Sequence, residues 1–358
     1  MKSSIKNFKF KNYFKNNAKP FFIAEIGVNH ENNLNLAERI IKQAKKGGAQ
    51  AVKFQTYKAE LLASKISPYY WDLTKVPQKS QFKLFKKFDK LNFDDYVKLK
   101  KICDHYKIIF TSTPFDNDSA IFLNKLVPFF KIASADLTNL PLIQLIKEFK
   151  KPMVISTGAC TINEINNLDN YLNNNIEVSF LHCVLSYPTK NHDANLQFID
   201  VLKKKFPKRI IGYSDHTMPD KNMLVLTEAY KEGAQIIEKH FTLDTLKGKK
   251  NNDHFHSMDF KDLQKFFENL KFIKTLYNKN NLVRNVLACE KKSRKNARRS
   301  IFTRGIIENQ QKIKIENLIA KRPGTGISPL LINKIINRRT NKKLKDDYKI
   351  KWSDLKKL

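Results

Sequence analysis

No apolar run in this chain approaches the roughly 20 residues that a membrane-spanning helix requires, so insertion into a membrane is not expected. The first apolar stretch, FFIAEIG, is short and broken by Glu25. It offers neither the long apolar core nor the small-residue cleavage site of a secretory signal, and a cytoplasmic location follows as the expectation. Cysteine is scarce: Cys103, Cys160, Cys183 and Cys289 form no CxxC or zinc-finger spacing, which excludes a disulfide framework and reads as reduced thiols. No GxGxxG follows the first strand-like run, so a dinucleotide-binding sheet lacks its fingerprint. Acidic residues are few, 34 against 67 basic ones, for a net charge of +33. That balance suits nucleic acid or another polyanion. However, Lys is spread along the whole chain with abundant Asn, both A/T-rich codon residues, and no zinc finger, RNP pattern or basic heptad accompanies it. The expectation is no nucleic-acid partner, and a positive field that draws in a small anionic substrate.

What is present is a regular alternation. Short apolar runs at 20–27, 51–55, 107–112, 129–134, 152–157, 178–183, 209–214 and 234–240 read as strands, and segments such as LNLAERIIKQAKKGGA and DDYVKLKKICDHY between them have helical periodicity. Nearly continuous apolar strands separated by helices predict a parallel sheet buried on both faces. Eight of them in about 250 residues predict a closed (β/α)8 TIM barrel. The aromatic and Lys-rich section from Tyr57 to Lys90 is too long for an ordinary connection and reads as an excursion over the barrel mouth. The expected organisation is a basic N-terminal extension over 1–19, the barrel over 20–280, a basic linker over 281–296, and a small β-rich domain over 297–358 with little core of its own.

Catalytic groups of such barrels come from the C-terminal ends of the strands. Here every predicted strand ends in polar groups: Glu25; Lys53 and Gln55; Ser112 and Thr113; Lys131, Ser134 and Asp136; Ser156 and Thr157; His182 and Tyr187; Ser214, Asp215 and His216; Glu238, Lys239 and His240. A purely structural barrel has no reason for that. Lys53 and Lys131 with the hydroxyls of Thr113, Ser134, Ser156 and Ser214 would bind a phosphate or carboxylate through charge-assisted hydrogen bonds. His216 and His240, from neighbouring strands, could hold a divalent metal with positions open to substrate and water. Strand alternation sets Glu238 and His240 on one side and turns Lys239 away, where no task is expected of it.

The ordered motifs IAEIGVNH, AVKFQTYK, TSTPFD, KIASAD, ISTGA, LHCVLSYPT, GYSDHT, IIEKHFTLD and NDHFHSMD resemble the N-acetylneuraminate (sialic acid) synthase family. The C-terminal NARRSIFTRGII and IENLIAKRPGTGISP resemble that family's small antifreeze-like SAF domain. The resemblance implies a transferase that condenses phosphoenolpyruvate with an N-acetylated mannosamine-type sugar, using Mn2+ or Mg2+, as a domain-swapped homodimer. It implies that Lys53, Thr113, Lys131, Ser134, Ser156 and Ser214 hold phosphoenolpyruvate and that His216 and His240 bind the metal. Gln55, Asp136, Tyr187 and Asp253 would surround the sugar, with Arg322 supplied by the partner's small domain. Glu25 and Glu238 would work at the reacting centre.

Three features set this chain apart within the resemblance. Leu185 stands where such synthases commonly carry Asn, and the loop TLKGKKNNDHFHS differs in length and charge from the usual version. Asp136 replaces the Glu of many relatives. A less polar, diacetylated 6-deoxy acceptor, giving legionaminic or pseudaminic acid, is therefore the alternative substrate. Aldol-type synthases acting on sugar phosphates lack the RPGTGIS tail, and a non-catalytic polyanion-binding protein would have no use for the strand-end residues.

Overall fold

The structure is a computed structural model and describes residues 8–17, 19–173, 175–249, 253–277 and 285–356. Residues 1–7 of the expected extension and the boundary expected at 280/281 lie outside them. The chain divides into two compact units, Met1–Leu276 and Tyr277–Leu358.

The first unit is a (β/α)8 barrel. Its strands are β1 (Phe21–Gly27), β2 (Ala51–Thr56), β3 (Ile109–Pro114), β4 (Phe130–Ile132), β5 (Met153–Ser156), β6 (Val178–Cys183), β7 (Ile210–Asp215) and β8 (Ile236–His240). They pair in parallel in the order β3-β2-β1-β8-β7-β6-β5-β4. Across the remaining seam the Thr111 hydroxyl donates to the Phe129 carbonyl at 3.0 Å. β4 is shorter than the predicted run because the chain turns into a 3-10 segment at Ser134–Asp136.

Strand alternation sorts the apolar residues into two sets. Ile23, Ala51, Val154, Leu181, Ile210 and Ile236 fill the barrel interior, while Phe22, Val52, Ile155, Phe180, Ile211 and Ile237 pack outward in the larger core shared with the helices. The N-terminal segment is more than a basic extension. It forms α1 (Phe10–Asn16), and Phe10 is fully buried in the interior set, its ring 5.0 Å from Phe21 and 4.9 Å from Phe129. The Glu177 carboxylate accepts from the backbone N–H of Phe10 and Lys11 at 2.7 and 3.0 Å, holding the helix by its electropositive end.

α2 (Leu34–Gly47) shows how local sequence sets the outer helices. The Asn33 side chain caps it, Ala37, Ile40, Ile41 and Ala44 form its buried stripe, and Gly48 ends it at φ 103°. The excursion after β2 carries α3 (Ala59–Leu62) and α4 (Gln81–Phe88). Then follow α5 (Phe93–His105), α6 (Asn117–Leu123), α7 (Leu140–Glu148), α8 (Ile162–Leu172), α9 (Phe198–Lys205), α10 (Leu224–Lys231) and α11 (Phe260–Leu276). Among the described residues no helix is long and apolar enough to cross a membrane.

In the second unit the segment read from sequence as linker contains α12 (Lys291–Ala297). β9 (Ser300–Thr303) pairs antiparallel with β10 (Leu318–Lys321). This unit does have a core, contrary to the sequence reading: Ile301, Ile307, Ile313, Ile335, Leu344 and Ile350 pack together. These apolar positions are spaced too irregularly for a period to reveal them.

Candidate active site

The inward positions at the C-terminal ends of the strands are polar, one layer above the apolar interior. Lys53 on β2 is ion-paired with Glu25 Oε2 at 2.7 Å and donates to Thr113 Oγ1 at 3.1 Å. Its Nζ and that of Lys131 on β4 are each 3.7 Å from Glu238 Oε1. Lys131 also donates to Ser156 Oγ at 2.7 Å, Ser214 Oγ donates to Glu238 Oε1 at 3.3 Å, and Gln55 Nε2 donates to Glu25 Oε1 at 3.1 Å. Ser134 Oγ accepts the Gly158 N–H at 2.9 Å. One buried layer thus contains two ammonium groups, two carboxylates and four hydroxyls.

Burial sets the protonation of this layer. Desolvation pushes the Glu25 carboxyl up to about 7; the Lys53 charge opposes the rise and Glu238 adds to it. For Lys53, burial pulls down, but Glu238 and Glu25 more than compensate and the ammonium is held above its ordinary value. Lys131 is lowered, burial being the main cause. Gly27 keeps the space beside Glu25 open. Its φ is +53°, and a Cβ there would lie 3.1 Å from Glu25 Oε1 and 3.3 Å from Gln55 Nε2.

Beside this layer stands a cluster of rings. The His216 centroid is 5.6 Å from His240 and 6.3 Å from His256, and His240 and His256 are 4.5 Å apart. Tyr187 lies against all three, 4.2 Å from His216. His216 Nδ1 is bonded to the Val184 carbonyl at 2.9 Å, the backbone contact that commonly orients a metal-binding imidazole. His240, Asp253 and His256 bring ligand atoms within 4.8 Å of one another; His216 is outside that convergent set. His240 Nδ1 and both His256 nitrogens are buried without a hydrogen-bond partner. Buried polar atoms are rarely left so, and imidazole lone pairs beside a carboxylate fit a divalent ion. Burial lowers both imidazoles well below their ordinary pKa, with the neighbouring imidazoles adding to the shift, so they stay neutral. Desolvation raises Asp253 to about 6, against the pull of His216 and Lys53.

The excursion supplies an aromatic wall. Tyr57, Tyr70, Trp71, Phe85 and Phe88 line a cavity with Phe255, Tyr187, His240 and Asp253, continuous with the polar layer through Gln55. Leu185 and Asp136 also line the polar layer, Asp136 taking a hydrogen bond from Asn139 Nδ2 at 3.1 Å. Arg322 lies in the second unit, exposed, on the turn after β10.

Other strand-end groups face outward. Thr56 and Ser112 share a hydrogen bond at 2.7 Å, Thr157 Oγ1 donates to the Leu181 carbonyl, and His182 Nε2 bonds to the Ala194 carbonyl. Lys239 points away from the site as its register requires, but it is not idle: fully buried, it pairs with Asp215 Oδ2 at 2.5 Å and donates to the Thr217 carbonyl. Two site residues escape sequence reasoning. Cys183 is inward, its sulfur 3.7 Å from His216 Nδ1. His256 is brought in by the loop after β8, and the alternation His254-Phe255-His256 just past the last strand was the available signal.

The chain is a barrel enzyme, and the charged groups converging from β1, β2, β4 and β8 make the C-terminal mouth its candidate active site. The chain belongs to the NeuB family, whose model matches residues 40–281. It is 35% identical over 351 residues to the N,N'-diacetyllegionaminic acid synthase of Legionella pneumophila, covering 94% of each chain. It is 33% identical over 341 residues to the synthase of the same name from Campylobacter jejuni, covering 93% of this chain and 99% of that one. Among solved structures, the N-acetylneuraminic acid synthetase of Leptospira borgpetersenii superposes with a TM-score of 0.65 at 31% identity, over 77% of this chain and 90% of that one.

Proposed function

We propose that this enzyme condenses phosphoenolpyruvate with an N-acetylated mannosamine-type sugar and water, yielding a nine-carbon 2-keto sugar acid and inorganic phosphate. The observation that carries this reading is the buried layer in which Lys53 and Lys131 share Glu238 and are flanked by hydroxyls. A small molecule with both a phosphate and a carboxylate is matched by two ammonium groups and four hydroxyls held out of bulk water. In this reading Lys53, Lys131, Thr113, Ser134, Ser156 and Ser214 bind phosphoenolpyruvate. Gln55, Asp136, Tyr187 and Asp253 orient the open-chain sugar. A divalent ion held at His216 and His240 would polarise the sugar aldehyde as a Lewis acid.

The enol carbon bonds to the aldehyde carbon, and the aldehyde oxygen takes a proton from solvent water to become a hydroxyl. Water adds its hydroxyl to C2 and releases its other proton to Glu25, whose pKa near 7 suits that exchange. Phosphate then departs with the electron pair of its C2–O bond, and the new hydroxyl loses its proton to leave the ketone. Glu238, between both ammonium groups, stabilises positive charge at C2. Arg322 of the second unit is assigned to the sugar site of a partner subunit in a domain-swapped homodimer.

A second acceptor, a diacetylated 6-deoxy sugar, is favoured by the aromatic wall of Tyr57, Tyr70, Trp71 and Phe85 and by Leu185, which suit methyl and acetamido groups better than free hydroxyls. The diacetyllegionaminic acid synthases among the relatives support the same acceptor. The test incubates purified protein with phosphoenolpyruvate, Mn2+ and a panel of mono- and diacetylated mannosamine-type sugars, following phosphate release and product mass. Turnover is expected with at least one of them; no phosphate release with any would overturn the proposal.

A further inference from the structure

We propose that His256 is a third imidazole ligand of the metal centre, completing with His240 and Asp253 a nitrogen-rich site that takes a transition-metal dication and rejects Mg2+. The inference rests on reading this mouth as the synthase's metal centre, but its test needs no substrate.

His256 is fully buried, yet neither ring nitrogen has a hydrogen-bond partner. A side chain whose only task was to fill that volume would be apolar, because an imidazole there forfeits the hydrogen bonds it makes with water. The unpartnered nitrogens face a site: the ring is 4.5 Å from His240, and the ligand atoms of His240, Asp253 and His256 lie within 4.8 Å of one another.

The loop that delivers them is anchored on every side. Asn29 Oδ1 accepts the Asp253 N–H at 3.2 Å, and Asn29 Nδ2 donates to Ser257 Oγ at 3.0 Å and to the Phe241 carbonyl at 3.1 Å. Ser257 Oγ donates to the Asp253 carbonyl at 2.6 Å, and His254, turned the other way, bonds to Thr242 Oγ1 at 2.7 Å. Met258 N–H pairs with the His240 carbonyl at 2.8 Å. This is the supporting framework that orients metal ligands, and it fixes Asp253 and His256 beside β8.

The donor set decides which ion is held. Mg2+ demands oxygen ligands in near-octahedral array, whereas imidazole suits later first-row dications, with affinity rising from Mn2+ towards Cu2+. His240 and His256 with one carboxylate, and His216 beside them, present mainly imidazole nitrogens, poor donors for the hard, oxygen-preferring Mg2+ and a fitting set for Mn2+, Fe2+ or Co2+.

The metal-stripped full-length enzyme is titrated with Mn2+, the free ion being followed by electron paramagnetic resonance, and with Co2+ by visible absorption. The expectation for His256→Phe and His256→Asn is Mn2+ affinity at least tenfold weaker, with an altered Co2+ spectrum. A hundredfold excess of Mg2+ should leave wild-type Mn2+ bound. Wild-type affinity and spectrum in both variants, or ready displacement by Mg2+, overturns the proposal. Should the variants misfold, electron spin-echo modulation of Mn2+ bound to the wild-type enzyme counts nitrogen ligands. Nitrogen modulation beyond that lost in the His216→Ala and His240→Ala samples supports it. A count fully accounted for by those two residues refutes it. None of these readings depends on turnover, so failure of the synthase assay and failure of this inference remain distinct.

Discussion

Glu25 shows how the surroundings of one residue set its protonation. Its carboxyl is raised from 4.5 to about 7, chiefly by burial. A carboxyl raised on folding costs stability as the pH climbs: between about 4.5 and 7 the folded state keeps a proton that the unfolded chain has released, so unfolding free energy declines across that window. Glu25→Gln should remove this slope in denaturant titrations at pH 5 and 8. It should also lower kcat by about 10²–10⁴ and abolish the ionisation near 7 in the pH–rate profile. An unchanged profile would remove Glu25 from proton transfer. Lys239 illustrates the opposite use of a buried charge. Lys239→Met leaves Asp215 buried and uncompensated and should cost about 3–5 kcal/mol by urea unfolding. Combining it with Asp215→Asn should restore most of that loss, because the pair's attraction little exceeds its desolvation.

Among the elements, α1 and the loop after β8 close opposite ends of the barrel. Phe10 occupies the interior floor with Phe21 and Phe129, Phe21 lying two residues below the register of Glu238 and four below that of Lys53. Phe10→Ala removes a fully buried ring from a packed layer and should destabilise the enzyme by about 3–5 kcal/mol while leaving KM for both substrates near wild type. A loss of stability below about 1 kcal/mol would show that α1 is only loosely docked. The excursion after β2 acts at the other end, where its aromatic residues shape the cavity next to the polar layer. A segment of that length over a rigid barrel is where specificity is expected to reside.

The whole molecule carries +33 net charge, which would raise the local concentration of an anionic substrate and make kcat/KM fall with ionic strength. The proposed exchange of small domains is a property of two chains, and a mixing experiment tests it. Arg322→Ala and Glu25→Gln enzymes, each expected to be nearly inactive, are unfolded together and refolded. If Arg322 serves the partner's site, hybrid dimers contain one site free of both lesions, and random pairing restores about a quarter of wild-type activity. If Arg322 serves its own chain, every site carries one lesion and nothing is restored.

The sequence by itself determined the barrel, because nearly continuous apolar runs separated by helical periodicity leave a parallel sheet covered on both faces as the consistent solution. It also determined that Glu238 and His240 share a side and that Lys239 does not, since successive strand residues alternate. Alternation is only relative, however. Whether Ser112, Thr157, His182 and Asp215 face the mouth or the helices depends on which face the closed sheet turns inward, and closure involves residues far apart in the chain. The recruitment of His256, the docking of Phe10 and the Lys239–Asp215 pair were likewise decided by tertiary structure alone. Each depends on a loop or helix held by partners remote in sequence, such as Asn29 for Asp253 and Glu177 for α1, and no local period encodes such contacts.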